Sequence, residues 1–237
     1  MAFATLGICQ LQQVRDFSAG PTKVGMYSYV PKNIKAPAPI IEVLPLADRH
    51  GITLIFPNSK SGGGCFDVAS KAIANMVKYA VDKYGGDANR TFVIGTSSGA
   101  MMANVLAGVY PDVFKAASVY SGVPDGCFYI QANACVNGQL TQTAQAWGDL
   151  VRSYYPGYTG PRTRMQIRLT TKKDPANIPQ SGYTQTIYGD GTSTTAQIVG
   201  YSAQGVGHTV PQHPNLDIAF FWHRHRAASS KGVTRDA

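Results

Sequence analysis

Residues 91 to 104, Thr-Phe-Val-Ile-Gly-Thr-Ser-Ser-Gly-Ala-Met-Met-Ala-Asn, constrain the fold more than any other stretch of the chain. Thr91 to Ile94 is a β-branched and aromatic run of the kind buried strands use. Met101, Met102, Val105, Leu106 and Val109 then recur at helical spacing. Between them, Gly95-Thr96-Ser97-Ser98-Gly99 fits G-x-S-x-G, which in a strand-turn-helix setting holds a serine on a sharp elbow. At such an elbow strand and helix approach so closely that the residues two before and two after the serine are expected to lack Cβ atoms, and Ala100 extends the small surface. The elbow exposes the Ser97 hydroxyl above a helix N-terminus and offers the Ser98 backbone N–H to a developing oxyanion. A plain Gly/Ser turn would match the pentapeptide as well; the apolar strand before it and the amphipathic segment after it favour the elbow.

Elsewhere strand and helix patterns alternate. Val24 to Val30 reads as an early strand paired with Leu11 to Phe17. Pro39 to Val43 and Ile52 to Pro57 read as short strands joined by a brief helix. Asp67 is placed to cap a helix over Val68 to Tyr84, with Ala69, Ile73, Met76, Val77, Ala80 and Val81 on one face. Further strands are expected at Ala116 to Tyr120, Met165 to Leu169, Tyr183 to Tyr188 and Ala196 to Tyr201, with helices near Thr143 to Tyr154 and Leu216 to His223. This alternation predicts an α/β fold built on a mostly parallel sheet with helices on its faces.

Composition narrows the function classes. A chain of 237 residues with 44% hydrophobic and 14% charged residues can bury one large core, and residues 11–223 are read as a single domain. Met1 to Cys9 is apolar but lacks a basic start, so residues 1–10 are read as a truncated signal or an unstructured N-terminus, and 224–237 as a basic polar tail. No stretch is long and apolar enough to suggest a membrane span. The net charge of +8 owes as much to scarce acids, with a single glutamate at Glu42, as to bases. The bases do not interleave with aromatics, so nucleic acid is not expected as a partner.

Of the four cysteines, Cys127 and Cys135 bracket a short segment read as a loop and predict a local disulfide formed in an oxidising compartment. No cysteine or histidine spacing suggests a metal site. Asn89-Arg90-Thr91 is a sequon for N-glycosylation.

A serine hydroxyl attacks at neutral pH only when an imidazole takes its proton and an acid orients that imidazole. Of the five histidines, His50, His213, His223 and His225 sit at a helix end or late among polar residues. His208 lies in Gly205-Val206-Gly207-His208-Thr209-Val210-Pro211, a glycine-flanked loop directly after an apolar strand, where catalytic groups of open α/β sheets gather. For a serine at a strand-to-helix elbow the acid falls between nucleophile and histidine in the chain. That admits Asp112, Asp125, Asp149, Asp174 and Asp190. Asp174, shortly after a strand, is favoured, with Asp190 and Asp125 as alternates.

Together, Leu11 to Val14, Pro21 to Tyr27, Gly95 to Asn104, Val119-Tyr120-Ser121-Gly122-Val123-Pro124, Tyr155 to Gly160 and Gly205 to Pro211 resemble secreted fungal acetylxylan esterases of carbohydrate esterase family one. That family's relatives include feruloyl esterases and polyhydroxybutyrate depolymerases. The resemblance implies an α/β-hydrolase fold, no cofactor or metal, a secreted monomer acting on acetylated xylan or a related plant cell-wall ester, and a triad of Ser97, Asp174 and His208. It departs in two places. The His- and Cys-containing loop that in the family follows the stretch corresponding to Pro39 to Val43, and supplies a second oxyanion donor, is missing. The chain runs instead into Leu44-Pro45-Leu46, which leaves Cys65 without its family partner unless Cys9 replaces it. The family's His-Gly-Ser before the acid is Leu169-Thr170-Thr171 here, and the helix after the acid is absent before Gly182. The alternatives to acetylxylan hydrolysis are feruloyl ester cleavage and a catalytically impaired xylan-binding relative.

Overall fold

The computed structural model describes residues 11–20, 22, 24–32, 34–41, 47–58, 68–171, 181–188, 192, 194–208 and 210–229. The chain divides into two compact units, residues 1–88 and 89–237. In the first, β1 (Gln12–Val14) pairs antiparallel with β2 (Gly25–Tyr29), and β2 pairs antiparallel with β4 (Thr53–Asn58). β3 (Ala38–Ile41) lies parallel to β4, and among the described residues the four-residue helix α1 (Ala47–His50) is the one element between them. β2 buries alternate residues, Met26 and Ser28, as a strand with one covered face must. The helix α2 (Val68–Tyr84) has the predicted bounds, and Ala69, Ala72, Ile73, Met76, Val77 and Ala80 form its buried face. Its cap at Asp67 lies outside the described residues.

The second unit carries the strands that matter for the site. β5 (Gly86–Thr96), which begins at the unit boundary, pairs parallel with β6 (Ala116–Tyr120), β6 with β7 (Arg164–Thr171), and β7 with β9 (Ile198–Gln204). β8 (Tyr183–Tyr188) closes this run antiparallel to β9. Every residue of β6 is buried, which is why its sequence, Ala-Ala-Ser-Val-Tyr, shows no polar alternation. The helices of this unit are α3 (Ser98–Val109), α4 (Cys127–Val136), α5 (Ala144–Ser153), capped by the Thr143 hydroxyl accepting from Ala146 N–H, and α6 (Pro214–Ser229). The architecture is a mostly parallel sheet flanked by helices on both faces.

Two elements differ from the sequence reading. The segment bracketed by Cys127 and Cys135 is helical, with one residue, Gln131, out of helical conformation (φ −159°, ψ 90°). The disulfide itself forms, with Cα atoms 5.6 Å apart. And α6 runs six residues beyond His223, to Ser229, where the basic sequence had suggested a tail.

Buried Arg164 joins β7 to the elements around it. Its guanidinium lies over the Phe220 ring at 4.1 Å and donates to the carbonyls of Ala196, Phe220 and Thr194. A buried cation of this kind is tolerable because its donors are satisfied by fixed carbonyl dipoles. The result is that the start of β7, the approach to β9 and α6 are held together at the amino end of these strands.

Candidate active site

β5 ends at Thr96 and α3 begins at Ser98, so the whole reversal falls on Ser97. Its backbone sits at φ 56° and ψ −120°, a conformation that costs a non-glycine residue about 1–3 kcal/mol. Two backbone bonds hold it there: Ser97 N–H donates to Tyr120 C=O (2.9 Å), and Ser97 C=O accepts from Met101 N–H (3.1 Å). Although Ser97 stands at the N-cap position, its side chain does not cap α3. The hydroxyl meets His208 instead, with Oγ 2.8 Å from Nε2.

The two glycines of the elbow are not equivalent. A Cβ on Gly95 would lie 2.1 Å from Gly99 C=O oxygen and 2.7 Å from Ala100 N, contacts that no rotamer change relieves. A Cβ on Gly99 would meet nothing within 4 Å, so the expectation that both positions must lack a side chain holds for Gly95 and fails for Gly99. The close approach is made by Gly99's own backbone against Gly95. Next to it, a Cβ on Gly122 would come 2.9 Å from the Ala100 Cβ, and Asn104 Nδ2 donates to Val123 C=O (2.7 Å). The segment after β6 is thereby fastened to the helix that carries the serine.

His208 reaches the serine from a loop with three anchors. Gly205 takes φ 66°, where a glycine is needed to turn the chain out of β9. Val210 is buried, and its N–H donates to His208 C=O (3.2 Å). Gln212 Nε2 donates to Thr96 Oγ1 (3.3 Å), which ties the loop to the end of β5, one residue before the serine.

The sequence reading missed the polar cluster beneath this loop. Asp217, in the first turn of α6, is 2% exposed and accepts from Ser118 Oγ (2.6 Å) and Tyr120 OH (2.7 Å). The same Tyr120 hydroxyl accepts from His213 N–H (3.1 Å). Tyr120 thus supports the elbow with its carbonyl and the histidine loop with its phenol. Asp217 was excluded because it follows His208 in the chain, and its partners lie 97 and 99 residues away, beyond any local pattern. Ser118 and Asp217 form a serine-carboxylate pair, but Ser118 is 0% exposed inside β6 and cannot meet a substrate.

Of the candidate acids, Asp174 and Asp190 lie outside the described residues. Asp125 is described and sits elsewhere: its Oδ2 lies 2.8 Å from where a Gly108 Cβ would stand, between α3 and α5, and has no hydrogen-bond partner. Burial pushes its carboxyl up to about 6 and, with the Asp125 charge, helps push the Tyr154 phenol up to about 12. Asp149 is engaged with Gln145 and Arg152 on the exposed side of α5. Among the described residues no carboxylate bonds to His208, and no group of three or more His, Cys, Asp or Glu could hold a metal.

A strained serine at a strand-helix elbow, hydrogen-bonded to a loop imidazole, is an arrangement for proton transfer and attack on a carbonyl. Residues 67–155, which contain the elbow, are similar to the prolyl oligopeptidase family. Acetylxylan esterase A of Aspergillus awamori is 36% identical, over 89% of this chain and 88% of the relative. The chain belongs to the fungal acetylxylan esterase family. Within that family feruloyl esterase B of Neurospora crassa is 34% identical, over 92% of this chain and 94% of the relative. The solved structure of the acetyl xylan esterase from Aspergillus awamori superposes with a TM-score of 0.79 at 36% identity, covering 90% of this chain and 98% of that one. The fold is accordingly that of the α/β-hydrolases. The first alignment spans 275 positions, whereas 89% of this chain is about 211 residues, so about 60 positions of it face no residue here. That agrees with segments missing relative to the family; of the places where the sequence departs from the family, Leu169-Thr170-Thr171 forms the end of β7, while Leu44 to Leu46 and residues 172–180 lie outside the described residues.

Proposed function

We propose that this member of the acetylxylan esterase family is a serine ester hydrolase that removes acetyl groups from xylan through an acyl-enzyme. The observation that carries the reading is the 2.8 Å contact between Ser97 Oγ and His208 Nε2 at an elbow whose serine does not cap its own helix. In the first half-reaction Oγ loses its proton to Nε2 as it attacks the acetyl carbon, and the carbonyl oxygen becomes an oxyanion accepting from Ser98 N–H at the start of α3. The tetrahedral species collapses, breaking the bond to the sugar oxygen, and His208 returns the proton to that oxygen. Water then repeats the sequence on the acetyl-serine and releases acetate. Asp174 is assigned the role of orienting His208, and no cofactor is required by any step. The Cys127–Cys135 disulfide supports secretion, and no described helix is long and apolar enough to cross a membrane.

Hydrolysis of p-nitrophenyl acetate, together with labelling by a fluorophosphonate probe, tests the reading. Both are expected in the native chain and both are lost in Ser97→Ala. Absence of labelling, or a rate unchanged by that substitution, defeats it. The 34% identity to a feruloyl esterase motivates a second reading of the acyl group, and relative rates on methyl ferulate and acetylated xylan decide between them.

A further inference from the structure

At the amino end of the parallel strands, away from Ser97, the second unit holds a cavity of about 320 Å³. Phe92, Ala116 and Arg164 line it and form one row across the sheet, paired Phe92 to Ala116 and Ala116 to Arg164. Phe92 lies four residues before Thr96, roughly 13 Å along β5, so the cavity is distinct from the serine site. Its volume falls at the small end of the roughly 300–1,000 Å³ typical of small-molecule sites.

The walls combine two chemistries. One side is apolar: Phe92 stacks on Phe221 at 4.7 Å with the rings nearly parallel, and Tyr158 presents a half-buried ring beside Tyr155 (4.9 Å). The other is cationic. Arg162 lies over the Tyr158 ring at 5.1 Å, and its Nη1 is buried with no hydrogen-bond partner in the chain. Lys115 lines the same cavity, its ammonium held by the backbone carbonyl of Asp112 rather than by a carboxylate. Arg164 supplies a third positive charge beneath, already bonded to carbonyls. Against these three cations stands the carboxylate of Asp112, close enough to act on the Tyr158 phenol.

A buried guanidinium N–H without an acceptor is costly, and an anion bound there would relieve the cost. A bare inorganic anion would leave the aromatic walls unused. The match is a ring with an apolar face and one carboxylate, the face against the aromatic wall and the carboxylate on Arg162 and Lys115. We propose that this cavity is a second binding site, separate from the catalytic one, for a hexuronic acid unit such as the acidic side group of a plant polysaccharide.

The test is calorimetric titration of the whole chain, produced in a host that leaves Asn89 unmodified because that residue also lines the cavity. Glucuronic acid and galacturonic acid are compared with xylose, acetate and inorganic phosphate. A uronic acid is expected to bind, weaken with added salt, and lose about tenfold in affinity in Arg162→Gln and in Lys115→Gln. Xylose, acetate and phosphate are expected to bind at least tenfold more weakly. The preference between the two uronic acids identifies the source, glucuronate-bearing xylan or a galacturonate polymer. Absence of uronate binding, binding of xylose or phosphate as tight as that of the uronate, or unchanged affinity in both variants overturns the proposal. If Arg162→Gln does not melt like the native chain, Lys115→Gln decides alone. Hydrolysis of p-nitrophenyl acetate is expected to be unchanged in both variants, so failure here is distinguishable from failure of the esterase reading.

Discussion

Gly95→Ala and Gly99→Ala change the same motif by the same methyl group and are expected to have opposite effects. At Gly95 the new Cβ would stand 2.1 Å from a backbone oxygen, where ordinary contact begins at 3.4 Å. The end of β5 and the start of α3 must therefore separate by about 1.3 Å, and the atom in the way belongs to backbone that cannot rotate aside. Overpacking of this kind costs about 1–3 kcal/mol, and about 1 kcal/mol shifts the melting temperature of a chain this size by roughly 2–4 °C. Because Ser97 sits inside the displaced turn, its 2.8 Å contact with His208 opens too, and misplacement by about 1 Å is worth about a hundredfold in rate. Gly99 is exposed, in the first turn of α3, and a Cβ there meets nothing. Alanine then gains about 0.5–1 kcal/mol of helix propensity and leaves the turn in place. Thermal melts and p-nitrophenyl acetate turnover on both variants measure this. A Gly95→Ala chain that keeps native melting and native turnover would refute the close-approach argument, and so would equal losses at both glycines.

Ser118→Ala is expected to lower stability by about 1.5–3 kcal/mol, because buried Asp217 loses a donor, while ester turnover persists; lost turnover in a chain that still melts natively would move the nucleophile to the wrong serine. Asp125→Asn is expected to raise the melting temperature at pH 8. Burial lifts this carboxyl from 3.8 to about 6, so the folded chain holds the proton more tightly and stability falls as pH rises from about 4 through 6. The cost of the buried charge above that range is at most about 3 kcal/mol, the variant should converge on the native curve near pH 4, and a pH-independent difference would contradict the assignment. Asp174→Asn is expected to lower turnover by up to about 10⁴-fold and Asp190→Asn only mildly; equal losses, or none at Asp174, would remove Asp174 from the site.

What the sequence disclosed follows from the range of each interaction. β6 and β8 have the predicted bounds, and so does α2, because a continuous apolar run, a turn-bounded alternation and a helical stripe are local signals. The pairing of Ser97 with His208, 111 residues apart, was also legible, since the elbow motif and the glycine-flanked loop each announce themselves at the end of a strand. Asp217 was not. A single acid in the first turn of a helix reads as a favourable helix-dipole charge, and only the three-dimensional neighbours Ser118 and Tyr120 make it a buried hub. The helical state of the Cys127–Cys135 segment was hidden too, because its apolar residues follow no single face and a kink at Gln131 breaks the period.

The hub explains how the serine can stay strained. A residue at φ 56° keeps that geometry only if its surroundings outweigh about 1–3 kcal/mol of backbone strain. The Gly95–Gly99 approach is local, but the Ser97 N–H to Tyr120 C=O bond depends on β6 staying in register with β5. Asp217 supplies the fixed point: through Ser118 and the Tyr120 phenol it clamps the last three residues of β6 to α6, and through Tyr120 it reaches His213 in the loop that delivers His208. Serine and histidine are thus referred to one buried carboxylate. None of these partners comes from residues 44–46 or 169–180, the regions where the sequence departs from its family, so the Ser97–His208 pair stands on contacts that the departures leave in place.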